Sequence, residues 1–262
     1  MINNQTSLWS PSEEYKKKSK LFEFCQLLNE KQLIKNTDNF ENLWRWSVNN
    51  PEIFWSQIWD FTKIKGEKGK IVIKKNKNFF KNKFFPDSKL NYAENLLPKR
   101  NNEIALNFLS ENGYKEEISW KNLYEDVCKV SSFFKKINLK EKDRVAAYVP
   151  NKIQTIVSFL ASSKNGLIWS SCSPDFGAQG LVDRFYQIKP KVLITCEYYY
   201  YNGKKIDILK KIPEIVKKIK SIKKIIVFPY TKNFEKKLSK KYVNFNSIIK
   251  KYDMDLNFKK FY

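Results

Sequence analysis

Residues 143–171 read DRVAAYVPNKIQTIVSFLASSKNGLIWSS. RVAAYV (144–149) is a short, nearly unbroken apolar run, the pattern of a strand buried on both faces. IQTIVSFLASSKN carries apolar residues at helical spacing, and Gly166 stands where a helix C-cap calls for a residue that accepts positive φ. LIWSS (167–171) returns to a strand. Strand, helix and strand at this spacing predict parallel strands joined by a right-handed crossover.

The same alternation continues downstream. PDFGAQGLVDRFYQI predicts a helix with Ser173 as N-cap, Pro174 in its first position and Asp175 complementing its dipole. Leu181, Val182, Phe185 and Ile188 would face the sheet. Gly177 and Gly180, spaced G-x-x-G, would mark close helix–sheet packing. KVLIT (191–195) reads as a strand, KKIDILKKIPEIVKKI as a helix with Pro213 near its middle, and KKIIVFPY (223–230) as another strand. The expected fold class is α/β, a parallel sheet with helices on both faces, with ligands bound beyond the carboxyl ends of its strands.

Upstream, IALNFLS and YKEEISW flank ENG and predict a hairpin turning at Asn112-Gly113. SWKNLYEDVCKVSSFFKKI then places Leu123, Val127, Val130, Phe134 and Ile137 on one helical face. Residues 11–62 read as helices rich in aromatics, Trp44, Trp46, Trp55 and Trp59 among them, with Pro51 between two short helices. These aromatics are expected to pack against a larger body. Residues 63–89 read as irregular apart from the strand IVIKK, and LNYAENLLP as a turn of helix closed by Pro98. The expected division is a helical region, 1–98, followed by an α/β domain, 99–262.

The 262 residues are 42% hydrophobic and 16% aromatic, the composition of a chain that buries a core. The formal charge of +23 suggests nucleic acid, but only Arg45, Arg100, Arg144 and Arg184 are arginines, against 46 lysines spread along the chain. Base-edge and bidentate phosphate recognition favour arginine, so no nucleic-acid partner is expected, and a basic nucleic-acid binder remains only an alternative. There is no histidine, which excludes Ser-His-Asp triads and His-ligated metals. The four cysteines form no C-x-x-C pair, so no metal site is expected and a reduced compartment fits. MINNQTSLWSPSEEYKKK contains no apolar leader core and no run is long enough for a membrane span. A cytoplasmic protein without a membrane partner is the expectation.

Seven glycines form neither G-x-G-x-x-G nor G-x-x-x-x-G-K-[ST], and no carboxylate pair stands out. By motif alone the chain contains no catalytic residue.

LWRWSVNNPEIFWSQIWDF, LNYAENLL, DRVAAYVPN and IWSSCSPDFGAQGLVDRFYQIKPKVLI together resemble the N-terminal part of acetoacetyl-CoA synthetases. These belong to the acetyl-CoA-synthetase-type branch of the AMP-forming adenylating superfamily. The resemblance runs from about residue 35 to 230 and implies a ligase using ATP, Mg²⁺ and CoA, with a short acid such as acetoacetate as substrate. It also implies that the domain begun at residue 99 stops before the phosphate-binding loop, so that only CoA contacts are expected here. A truncated member is therefore expected, with a second chain carrying the rest of the enzyme as its candidate partner; the alternative is a catalytically inactive CoA- or partner-binding remnant. The resemblance places Ser171, Cys172 and Ser173 beside the pantetheine arm of CoA. It places Tyr201, Asn202, Gly203 and Lys204 at its nucleotide end, with Tyr201 and Lys204 where acetate-type relatives carry arginines. YYYYNGKK read by itself is a polar loop turning at Asn202-Gly203, and both readings stand.

Overall fold

The computed structural model describes residues 8–34, 39–231, 239 and 241–262. Residues 1–7, 35–38, 232–238 and 240 lie outside the described residues. The chain divides into two compact units, 1–89 with Tyr262, and 90–261.

The first unit opens with α1 (Glu13–Lys17) and α2 (Lys20–Glu30). Ser12 and Ser19 each cap one of them, Ser19 through the Phe22 amide. Helices α3 (Phe40–Asn49) and α4 (Pro51–Phe61) follow, with Pro51 at the first turn of α4. Their aromatics pack on one another. Phe24, Cys25, Leu28 and Leu43 form a small core, and Trp46, Phe54, Ile58 and Phe61 close over it. Trp44 and Trp55 stay exposed. Short strands β1 (Gly66–Glu67), β2 (Ile73–Lys74) and β3 (Lys83–Phe84) complete the unit, and β4 (Lys89–Leu90) carries the chain into the second.

The second unit begins with α5 (Tyr92–Leu96), the hairpin β5 (Ile104–Leu109) and β6 (Lys115–Ser119), and α6 (Trp120–Lys136), capped by the Ser119 hydroxyl. Then come β7 (Arg144–Tyr148), α7 (Ile153–Lys164), β8 (Ile168–Cys172), α8 (Ala178–Ile188) and β9 (Val192–Cys196). A second hairpin, β10 (Tyr198–Tyr201) and β11 (Lys204–Asp207), precedes α9 (Ile212–Lys218), β12 (Lys224–Phe228), β13 (Tyr242–Asn244) and α10 (Phe245–Lys251). Five strands form one parallel sheet in the order β13-β12-β9-β7-β8. Every residue of β9 is buried, as are residues 145–148 of β7 and 225–228 of β12, because helices cover both faces of a parallel sheet. The edge strand β8 leaves Ile168 and Ser171 exposed. The sequence counted β7, β8, β9 and β12 correctly; it missed β13 and α10.

Three local expectations are corrected. Helix α8 starts at Ala178 with Gly177 as its N-cap, so Ser173, Pro174 and Asp175 lie in a preceding turn and not at the helix start. A Cβ on Gly180 would meet only the Phe176 ring at 3.6 Å, so this glycine marks no close helix–sheet approach. The segment 204–218 is no continuous helix: Lys204–Asp207 pairs with β10, and Pro213 sits in the first turn of α9, where its missing N–H costs nothing.

After α10 the chain runs extended and is stapled to the domain by polar contacts. Asp255 takes the Lys164 ammonium at 2.8 Å, the Lys135 ammonium at 2.6 Å and the Ser131 hydroxyl at 3.0 Å. Lys164 is only 2% exposed and also donates to the Asn257 carbonyl. The buried Asn91 amide donates to the Lys164 and Lys259 carbonyls, and Leu90 pairs with Phe261. Phe261 lies against Gly166, which is at φ 67° and where a Cβ would come within 2.7 Å of the ring.

Burial alone would raise the pKa of Asp255, but hydrogen bonds from Lys135 and Lys164 outweigh it and hold the carboxyl at about 2. Its folded pKa is depressed, so its contribution is full above pH 4 and lost as pH falls toward 2. Asp255→Ala should cost about 3–5 kcal/mol, because Lys164 is left buried and unpaired; urea unfolding at pH 7 measures it. Asp126 in α6 behaves in the opposite way, since burial pushes it up to about 6 despite Lys129. Its proton is favoured by folding, and stability declines as pH rises from about 4 to 6. Asp126→Asn should therefore stabilise the protein at pH 7, by at most about 3 kcal/mol, and flatten that decline. A stability–pH profile of the two proteins decides it.

Candidate functional site

The strand order places β8 on one side of β7 and β9 on the other, so the chain reverses direction across the sheet at β7. Right-handed crossovers then put α7 and α8 on opposite faces, so the switch in strand order falls at the carboxyl ends of β7 and β9, where open α/β sheets bind ligands. A polar cluster lines this end of the sheet. The Tyr148 hydroxyl, at the end of β7, lies 2.7 Å from the Pro174 carbonyl and 2.8 Å from that of Phe176. Lys211 donates to the same hydroxyl at 3.3 Å. Asp175 accepts from the Ser173 hydroxyl at 2.6 Å and from the Tyr199 hydroxyl of β10 at 2.9 Å. Arg184 lies over the Phe176 ring, 4.5 Å from its centroid. Five contacts thus fix the turn 173–176, and the Tyr199–Asp175 bond ties it to the β10–β11 hairpin.

The electrostatics make this cluster a fixed frame. Burial, then the Asp175 carboxylate, pushes Tyr148 up to about 12. Burial and the bond to Asp175 raise Tyr199 further. Hydrogen bonds from Ser173 and Tyr199 hold Asp175 below the ordinary carboxylate range. At neutral pH both phenols are neutral donors and Asp175 is an anion with its lone pairs engaged, so none of the three is poised as a general base.

Ser171 and Ser173 are exposed at the end of β8, whereas Cys172 between them is 6% exposed and packs into the core. Burial raises its thiol, and Arg184 opposes this only in part. Two of the three residues therefore present polar surface to solvent. Tyr201, Asn202, Gly203 and Lys204 form the exposed tip of the hairpin, with Tyr201 paired to Lys204 across the turn. Asn202 and Gly203 both have positive φ, 49° and 72°, as a two-residue hairpin turn demands. Their amides are engaged by Glu111, at 3.0 and 2.9 Å. Sequence reasoning missed Tyr148, Tyr199, Lys211 and Glu111. Only the turn read at Asn202-Gly203 hinted at the hairpin that carries Tyr199.

Beside this rim, Lys152 is wholly buried at the start of α7. It donates to Glu116 at 2.7 Å and to the Tyr230 carbonyl, with the rings of Phe108, Tyr114 and Tyr230 around it. Burial lowers its pKa and Glu116 offsets part of the loss. Among the described residues no group of three His, Cys, Asp or Glu could hold a metal ion, and no helix is long and apolar enough to cross a membrane. The described residues therefore offer no carboxylate cluster for Mg²⁺.

Comparison with known proteins agrees with this architecture. Residues 40–96 match the acetyl-coenzyme A synthetase N-terminus. The chain is 38% identical over 87% of its length to an acetoacetyl-CoA synthetase from Xenopus tropicalis. It is 35% identical over 85% of its length to an acetoacetyl-coenzyme A synthetase from Rhizobium meliloti (strain 1021). It covers 34% of each, so it spans about a third of the length of these relatives. The solved acetoacetyl-CoA synthetase from Streptomyces lividans superposes with a TM-score of 0.90 at 25% identity, over 98% of this chain and 40% of that one. Residues 95–251 match the AMP-binding enzyme family, and with more than half of its length inside that match the chain belongs to this family.

Proposed function

We propose that this chain is the N-terminal part of an ATP-dependent, AMP-forming acyl-CoA ligase acting on acetoacetate. In the reaction, the acid's carboxylate attacks the α-phosphate of ATP and expels diphosphate. The CoA thiolate then attacks the acyl carbon, and AMP leaves as acetoacetyl-CoA forms. The observation that carries the reading is the match to acetoacetyl-CoA synthetases over more than four-fifths of this chain at 35–38% identity.

The geometry supports a share of the CoA site within these residues. The pantetheine arm would run over Ser171 and Ser173 on the pinned turn, where small side chains let it approach the backbone. Lys204 at the hairpin tip would meet a phosphate at the nucleotide end as a point charge, without the bidentate fork of an arginine. The Tyr199–Asp175 bond would hold the two halves of that path in register. ATP and Mg²⁺ would be held elsewhere, since the sequence has no phosphate-cradling glycine motif.

Protein captured with an antibody to this chain should release AMP only when acetoacetate and CoA are both supplied. Equal release with acetate would overturn the acid assignment, and no release with any short acid would overturn the ligase assignment. The purified 262-residue chain should give no ATP–diphosphate exchange yet bind CoA saturably by calorimetry. Lys204→Ala should weaken that binding about fivefold, the worth of one solvated charge contact. Tyr199→Phe should loosen the turn by about 1–2 kcal/mol and speed thiol labelling of Cys172 about 5–30-fold. Unchanged labelling would show that the turn does not depend on this bond.

A further inference from the structure

All strands of a parallel sheet begin at one edge, and here the connections that enter them are rich in lysine. Lys140 and Lys142 precede β7, Lys189 and Lys191 precede β9, and Lys220 and Lys223 precede β12. Against them Asp143 takes the Lys191 ammonium at 2.7 Å, and Glu141 takes that of Lys259 at 3.1 Å. Among the described residues, Lys223 and Lys224 have no partner. A surface habit would spread lysine over both edges alike. The connections leaving β8 and β9 at the carboxyl edge, however, set Lys204, Lys205, Lys210 and Lys211 against Asp175, Glu197 and Asp207. The amino edge therefore carries the excess of charge. A cavity of about 360 Å³ opens in it, between the end of α6 and the starts of β9 and β12, lined by Lys191, Lys223 and Lys224 together with Ile137, Asn138 and Leu139. Backbone bonds hold the lysines together, since the Lys223 amide donates to the Lys191 carbonyl at 2.8 Å.

We propose that this cavity binds a small organic polyanion, with two or more carboxylate or phosphate groups on a compact apolar body. Its volume falls within the range of small-molecule pockets. Asp143 answers only Lys191, so the cavity keeps a net positive charge, and the exposed Lys140, Lys142, Lys189 and Lys220 on the same edge raise its potential further. Ammoniums act as point charges with no planar fork to match, so they select for the number of charges and not for one oxyanion geometry. Ile137 and Leu139 are half-buried and offer apolar surface that an inorganic ion would leave uncovered. The cavity lies at the opposite ends of the strands from the rim that carries Tyr148 and Asp175, and it does not rest on the function proposed above.

Amide NMR of the nitrogen-labelled chain at fixed ionic strength tests this. The probes are trimesate (a benzene ring with carboxylates), hydroquinone bisphosphate and inorganic tripolyphosphate. At least one aromatic probe should shift the Leu139, Val192 and Lys224 amides saturably, and the tighter of the two names the acid group. Tripolyphosphate should bind about fivefold more weakly than that probe, for want of an apolar body. The double variant Lys223→Gln/Lys224→Gln should weaken binding about tenfold, and the rise in melting temperature that the probe gives the wild type should shrink with it. Lys223→Gln alone removes a solvated charge and carries the test, at about threefold, if the double variant does not fold. Lys115→Gln/Lys121→Gln removes as much charge from exposed positions on β6 and the start of α6, and should leave binding unchanged. Shifts that never saturate, or that reach the Lys115 and Lys121 amides equally, would overturn the proposal, because a merely lysine-rich surface gives that result. Equal losses in the two double variants would overturn it as well. Tripolyphosphate binding as tightly as the aromatic probes would overturn the assignment of an organic ligand.

Discussion

Strand β7 imposes the constraint on which the α/β unit depends. It is hydrogen-bonded to β8 on one side and β9 on the other, and Val145, Ala146, Ala147 and Tyr148 are all buried. Its two alanines leave room for helices to close on both faces. Arg144 meets polar groups at the start of the strand, and at its carboxyl end that role falls to Tyr148. The ring completes the core while the hydroxyl meets the carbonyls of the 173–176 turn. One residue thus couples the packing of the sheet to the shape of the rim at its carboxyl end. The reversal of strand order at β7 decides the rest, because it brings the ends of β8 and β9 to either side of that hydroxyl.

The strand–helix alternation was legible in the sequence because both periods are clean between residues 144 and 228. The apolar runs of β7, β9 and β12 are those of doubly covered strands, and α6 shows one apolar face. What was misread has a physical cause in each case. Ser-Pro-Asp signals a helix N-cap because its side chains bond to nearby donors, and the same groups serve equally well in a turn held from outside. The outside partners, Tyr148 and Tyr199, are remote in sequence. Lys204–Asp207 joined a helical reading because lysine and isoleucine spacing fits a helix face, and only pairing with β10 makes it a strand. Asn202-Gly203 was legible as a turn because its φ values need such residues. That its amides hold Glu111, from a loop 91 residues away, was not.

The charge of the chain also divides in two. Most of the described lysines are solvated, but Lys152 and Lys164 are among the largest fully buried side chains. Each lies where a helix meets a segment from a distant part of the chain. Lys164, at the end of α7, gathers Asp255 and the Asn257 carbonyl and so fixes the extended C-terminal segment. Lys152, at its start, gathers Glu116 of β6 and the Tyr230 carbonyl beyond β12. Composition cannot separate these two from the rest, because a buried ammonium is defined by its partners and not by its neighbours in sequence.

Lys152 also bears on the rim. Through Glu116 it fixes the body of the β5–β6 hairpin, and the Ser110 hydroxyl bonds to that of Tyr230 at 2.7 Å at the end of the same hairpin. Glu111 is the next residue. Its reach to the β10–β11 turn is therefore set from the core outward, by a buried ion pair, a ring cage and a hydroxyl pair, leaving only its own side-chain torsions free. Tyr199 fixes the second hairpin from the other direction through Asp175. The hairpin tips meet between two anchored bases, and the contact between them is an exposed carboxylate on two amides. That link is solvated, and its opening would leave both anchors in place.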